Sequence, residues 1–404
     1  MIRVAITGIG LLSALGTARE EVWANMVAGH CGIGTLSLFN PAGYRSHLAA
    51  QLPDYLSKSS LSPRQRRRWS RSDHIAVLAT EEALADAGLP AGSRNPDRFG
   101  VMFGAGTGDL LRAEEYLAEV RSKGIARARP SKITHFFSNT PVDIVGEHFG
   151  LHGPRHCVVA ACSSSTIAIG YAVDAIRSGR IDAAVAGGAD VLCRLTFSGF
   201  NALRLVDMQP CRPFDRERAG MTIGEASAVL VLEDLVAARA RGAKIYAEVA
   251  GHAATCEAYH PTSPEPHGEA IARTINAALR DAQVDASAID HINAHGTGTP
   301  QNDLAEARAF QRVFGDRTRA IPVTSIKSMV GHCLGAAGAI EAATLALSIS
   351  TGVIPPTVNH LETDPACPID VVANVSRRQP VNCGLSTSLA FGGNDAALVM
   401  RRVE

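Results

Sequence analysis

Short β-branched apolar runs alternate along this chain with longer Ala-rich stretches of helical period. RVAITGIG (3–10), FGVMFGAG (99–106), DAAVAGGADV (182–191), ASAVLVLE (226–233), KIYAEVAGHA (244–253), DHINAHGTGT (290–299), IPVTSIKS (321–328) and ALVMRR (397–402) predict strands. The stretches 71–89, 165–179, 267–283 and 335–352 predict helices, and this alternation indicates an α/β protein with parallel or mixed sheets. Two patterns occur twice in the same order. ACSSSTIAIGYAVDAIRSG (161–179) has its counterpart in GHCLGAAGAIEAATLALSISTG (331–352), and GEASAVLVLE (224–233) in GGNDAALVMRR (392–402). The repetition predicts two similar halves, 1–240 and 241–404, with Gly/Ala-rich helices packed closely together. The Pro- and Gly-punctuated stretch 248–269 then reads as a loop just after the boundary.

With 404 residues the chain can bury a large core, and its 46% apolar and 19% charged residues describe an ordinary globular protein. Lys plus Arg and Asp plus Glu balance at 39 each, so no overall field points to nucleic acid or to a membrane. Nine cysteines, an odd number without a C-x-x-C pair, argue against a disulfide framework or a structural zinc site and fit a reducing cytoplasm. MIRVAITGIG runs directly into an apolar stretch without the charged region and cleavage site of a secretory signal, so none is expected, and the apolar stretch 334–354, which contains Glu341, reads as a buried helix.

The chemistry concentrates where strands give way to helices. Cys162 stands at the start of a small-residue helix, followed by Ser163, Ser164 and Ser165. It is either a small packing residue or a nucleophile whose thiolate the helix N-terminus favours, while the serines suit helix capping. NAHGTGTPQND puts His295 beside Thr297 and Thr299, as a ligand-binding turn or as the cap of a helix starting near Asp303. SIKSMVGHCLGAAG adds Lys327 and His332, which read equally as a strand-end charge and a helix cap. Phe391, before Gly392 and Gly393, is a gate or a hydrophobic plug.

In order and spacing these segments resemble the β-ketoacyl-acyl carrier protein synthases of the thiolase superfamily, of the elongating KAS I/KAS II type, over essentially the whole chain. The resemblance implies the thiolase fold, with two pseudo-duplicated βαβαβαββ halves in a five-layer αβαβα arrangement, and a dimer. It implies that Cys162 accepts an acyl chain from the phosphopantetheine of an acyl carrier protein, and that His295 and His332 hold a malonyl thioester during decarboxylative condensation. The backbone N–H groups of Cys162 and Phe391 match an oxyanion hole. Lys327 and Glu341 match residues that fix His332 and the local charge, and Thr297 and Thr299 match hydroxyls on the pantetheine tunnel. No metal or organic cofactor is implied.

The basic cluster LSPRQRRRWSRSD supplies Arg64, Arg66, Arg67, Arg68 and Arg71. It reads as a solvated helix face on its own; with Arg127, Arg129 and Arg204 it aligns with positions where the family contacts its acidic carrier. Some residues depart from the family pattern. Thr107 stands at the acyl-pocket end where Ile is usual, GEASA replaces GDGAG, Val330 replaces the hydroxyl residue of KSMTGH, and LAFGGND replaces FGFGGTN. None of these touches the Cys-His-His set, but they point to a specialised substrate, as in type II polyketide or aryl polyene assembly. Two other classes share the fold. A thiolase needs a second cysteine, for which Cys333 or Cys383 would serve, and a non-catalytic chain-length factor lacks the nucleophile.

Overall fold

We describe the chain from a computed structural model covering residues 2–57, 59–89 and 95–403. Eleven strands carry the architecture: β1 (Val4–Leu12), β2 (Phe99–Gly104), β3 (Arg155–Val158), β4 (Ala183–Asp190), β5 (Ala226–Asp234), β6 (Ala247–Cys256), β7 (His291–Asn293), β8 (Pro322–Thr324), β9 (Asp370–Val371), β10 (Cys383–Ser388) and β11 (Asn394–Arg401). They form one mixed sheet in the order β9-β8-β7-β10-β11-β6-β1-β5-β4-β2-β3.

Outward from its middle, the sheet repeats one rule. β1 pairs antiparallel with β5, β5 antiparallel with β4, and β4, β2 and β3 run parallel. On the other side β6 pairs antiparallel with β11, β11 antiparallel with β10, and β10, β7 and β8 run parallel. The two sets meet where Val4, Ala5 and Ile6 face Val249, Glu248 and Ala247. Both sequence echoes occupy equivalent places in this pattern. The glycine-led segments become β5 and β11, and the small-residue segments become the helices Ser164–Arg177 and Ala337–Thr351.

Those two helices are the middle layer of a thiolase fold. They touch each other and strands of both sets, while Arg71–Asp86 covers one outer face and Glu269–Ala282 with Pro300–Phe314 covers the other. We number the six helices used below α1 (Pro63–Arg68), α2 (Arg71–Asp86), α3 (Ser164–Arg177), α4 (Glu269–Ala282), α5 (Pro300–Phe314) and α6 (Ala337–Thr351). The stretch Leu334–Thr351 is apolar and long enough to cross a membrane, but 89% of it is buried inside the protein, as befits a central helix.

Small residues make that layer possible. A Cβ on Gly104 would lie 2.1 Å from the Ser165 backbone nitrogen, and one on Gly338 would lie 1.9 Å from Thr166 Oγ1. The stretch 248–269 departs from the expected loop. Its first part continues β6 as far as Cys256, because β11 pairs with it from Glu248 to Cys256, with one register shift at Ala250. Lys327 sits on a single helical turn, Lys327–Val330, beyond the end of β8.

Candidate active site

Cys162 lies between β3 and α3, directly after Ala161, whose φ of 48° is left-handed and strained for a residue with a Cβ. The serines lock this turn. Ser163 Oγ donates to the Ala160 carbonyl at 2.9 Å, Ser164 Oγ donates to the Ala161 carbonyl at 2.6 Å, and Ser165 Oγ accepts the Ala339 N–H of α6 at 2.9 Å. Ser163 stands at the N-cap but makes no capping bond, so the capping expected of these serines gives way to a tightened turn.

One imidazole from the second strand set reaches this sulfur, and a second stands beside the first. His332 Nε2 is 2.9 Å from Cys162 Sγ, and the His295 and His332 rings stand 5.3 Å apart at 89°. Lys327 Nζ donates to the His295 carbonyl at 2.6 Å, lies 3.3 Å from His295 Nδ1 and pairs with Glu341. An ammonium has no acceptor, so Nδ1 of His295 must accept and Nε2 carries the proton. Burial, then the Lys327 charge and His332, hold His295 well below the usual histidine range, and burial and Lys327 do the same to His332. Both rings are therefore neutral donors or acceptors. Burial pushes the Glu341 carboxyl up to about 7 against the pull of Lys327.

The expectation that the helix start makes a thiolate is corrected. Burial outweighs the favourable Lys327 charge and the Phe391 N–H, and pushes the Cys162 thiol up to about 12. At rest this group is a thiol.

A cavity of about 250 Å³ opens on Cys162, His295 and His332. Thr297 and Thr299 line it, their hydroxyls 2.9 Å apart, with Gln301 and Asn302; Phe200, Leu203 and Met221 supply an apolar side. Phe391 also lines it, its ring tilted by 34° against Phe200 with centroids 5.7 Å apart, and its backbone N–H favours the ionised form of Cys162. Thr107 is outside this lining. Its N–H and hydroxyl face Asp190 at 3.3 and 3.5 Å.

A buried thiol, two neutral imidazoles and a backbone donor around one cavity suit acyl transfer through a covalent thioester, and comparison with known proteins agrees. The profiles described as "Beta-ketoacyl synthase, N-terminal domain" and "Beta-ketoacyl synthase, C-terminal domain" match residues 1–238 and 246–361. The chain is 35% identical to 3-oxoacyl-[acyl-carrier-protein] synthase 2 of Synechocystis, over 100% of this chain and 98% of that one. It is 41% identical to the tetracenomycin polyketide synthase ketoacyl synthase alpha subunit of Streptomyces glaucescens, over 99% and 97%. The solved ishigamide ketosynthase/chain length factor superposes with a TM-score of 0.94 at 35% identity, covering both chains completely.

The chain belongs to the β-ketoacyl synthase family. It is a condensing enzyme of the acyltransferase class. In this synthase neither Cys333 nor Cys383 lines the cavity, so the second thiol a thiolase would need is not in place. The nine cysteines are all free.

Several carboxylates that shape the synthase site escaped the sequence reading. Glu306 of α5 accepts the backbone N–H groups of His295 and Gly296 at 2.7 and 2.8 Å and the Thr387 hydroxyl at 2.6 Å, and burial pushes it up to about 7. Asp190 ties Gly106 to Gly335 through their N–H groups at 2.6 and 2.7 Å. Glu257 and Asp395 line the cavity itself. The i, i+3 spacing of Asp303 and Glu306 on a helix following the histidine turn was the signal available for Glu306.

The basic cluster divides. Arg64, Arg66, Arg67 and Arg68 of α1 are exposed, as are Arg127, Arg129 and Arg204, with Arg129 paired to Glu119 at 2.5 Å. Arg71 does not belong with them. Its guanidinium binds the fully buried Glu225 twice, at 2.8 and 2.5 Å, and lies over the Tyr55 ring, so it holds structure together and is not free to dock a partner.

Proposed function

We propose that this synthase joins a malonyl unit to an acyl chain held as a thioester on Cys162, both delivered on the phosphopantetheine of an acyl carrier protein. The observation that carries this reading is the convergence of Cys162, His332 and His295 on one cavity. The sulfur attacks the acyl thioester carbonyl as its proton passes to His332 Nε2. The Cys162 and Phe391 N–H groups receive the oxyanion, and the departing pantetheine sulfur takes the proton back. A malonyl thioester then replaces it. Its carbon–carboxylate bond breaks, CO2 leaves, and the electron pair forms an enolate whose oxygen accepts hydrogen bonds from His295 Nε2 and from His332, whose single ring proton has by then exchanged through solvent from Nδ1 to Nε2. Each such donor contributes on the order of 3 kcal/mol. The enolate carbon bonds to the acyl carbon, the bond to sulfur breaks, and Cys162 regains a proton from solvent through His332.

In this scheme residues 1–240 bring the nucleophile and 241–404 bring Lys327 and the imidazoles. Thr297 and Thr299 bind the pantetheine arm, Phe391 and Gly392 gate the cavity, and Glu341 balances Lys327. Thr107 ends the acyl path, although it lies outside the cavity open here. Arg64, Arg67, Arg68, Arg127, Arg129 and Arg204 dock the carrier. The enzyme works in the cytoplasm as a dimer, with itself or with a ketosynthase-like partner of the kind named in the ishigamide structure. The similarity to the tetracenomycin subunit supports polyketide or aryl polyene assembly over housekeeping fatty-acid synthesis.

The test is single-turnover acylation followed by mass analysis of the Cys162 peptide, then addition of malonyl carrier. Wild type becomes acylated and extends polyene or aryl starters, while Cys162→Ala does neither. Turnover by Cys162→Ala would refute the mechanism, and exclusive use of saturated chains would refute the pathway.

A further inference from the structure

Two carboxyls in the cavity wall have no part in the chemistry above. Asp395 lies on β11 opposite Thr255 of β6 and is 1% exposed; Glu257 follows β6 directly. Among the described residues no N–H or O–H donor reaches either oxygen of Asp395, and the group that faces it is the Glu257 carboxyl. A buried carboxylate without donors is costly, and two carboxyls in contact hold together by sharing a proton.

The other charges around the pair do not change this. Glu306 of α5 adds a further negative group beside Asp395, and Glu265 does so beside Glu257, whose Oε2 accepts the Glu265 N–H at 2.8 Å. Arg273 of α4 favours ionisation of both carboxyls. His260 lines the same cavity. Burial, Glu257 and Glu306 together outweigh Arg273 and push Asp395 up to about 9.

The pair spans the seam that fixes the Phe391 turn. Glu257 N–H donates to the Gly393 carbonyl, and Gly392 N–H donates to the Pro261 carbonyl, both at 2.8 Å. Asn394 Nδ2 donates to the Phe391 carbonyl at 3.3 Å. We propose that Asp395 is a positioning residue whose acid form, bonded to Glu257, clamps residues 391–395 to residues 256–265 and so keeps the Phe391 N–H aimed at Cys162. Losing the proton sets two like charges against each other in the seam and withdraws that donor. The inference rests on the oxyanion role given above to Phe391.

The sign follows from the raised Asp395. The clamp is complete below about pH 9 and is lost as pH rises through that value. The experiment follows acylation of Cys162 and kcat/KM for condensation from pH 7 to 10.5 in wild type, Asp395→Asn and Glu257→Gln. Wild type is expected to fall by about tenfold per pH unit above the Asp395 titration. Asp395→Asn keeps a donor with no proton to lose, so it retains the neutral-pH rate and lacks that limb. Glu257→Gln removes the opposing charge and flattens the profile too. An unchanged alkaline limb in Asp395→Asn overturns the proposal, as does inactivity of this folded variant at every pH. Failure of the underlying mechanism looks different: wild-type Cys162 would then carry no acyl group at any pH.

Discussion

A thiol pushed up to about 12 beside a neutral imidazole at 2.9 Å is a nucleophile made during the reaction, not one stored as thiolate. Alkylation of Cys162 by iodoacetamide is therefore expected to rise with pH through 9 without a plateau near 7, followed by mass analysis of the peptide. A plateau near neutrality would show a resting thiolate–imidazolium pair. Lys327 acts on the other imidazole. Lys327→Ala frees the His295 tautomer and strands Glu341, so CO2 release from malonyl carrier should drop by roughly 10²–10³-fold. Acylation of Cys162, which uses His332, should survive better, and radiolabelled malonyl carrier separates the two. Cys162, His295, Lys327 and His332 were legible because each stands beside glycines or serines at an element end, where a reactive group is conspicuous. Glu306 sits mid-helix in DLAEARA, where a carboxylate looks like part of a solvated face; only the fold turns it inward.

At the scale of elements, the site depends on how closely α3 and α6 approach their neighbours. Gly104→Ala would drive a Cβ into the Ser165 backbone at 2.1 Å, which cannot give way without moving the Cys162 turn. It should destabilise the fold by about 1–3 kcal/mol or more and abolish acylation together with it. Gly338→Ala clashes chiefly with the Thr166 hydroxyl, a side-chain group that can rotate at the cost of its 2.7 Å bond to Ser388, while the nearest backbone atom, the Thr166 nitrogen, lies 3.0 Å away, so the loss should be smaller. Thermal unfolding of both variants checks the order. The repeated glycine-rich patterns announced this two-fold layering in the sequence, since small residues at helical spacing have little other use. The length of β6 was hidden, because HAATC carries no sign that β11 will pair with it from about 140 residues away.

At the scale of the whole molecule, 39 basic and 39 acidic residues cancel, so recognition of an acidic carrier must come from local clustering. The exposed arginines of α1 offer that clustering, and one substitution series can tell docking from structure. Arg64, Arg67 and Arg68 changed together to Glu should raise KM for carrier-bound substrate, leave kcat and thermal stability near wild type, and weaken the salt dependence of binding. Arg71→Ala should do the reverse. It strips the fully buried Glu225 of its bidentate partner, and an unpaired buried carboxylate costs about 3–5 kcal/mol. Unfolding should come first there, with KM for the carrier little changed in the fraction that remains folded. If the triple reversal left KM unchanged across salt concentrations, the carrier would have to approach the cavity from another face.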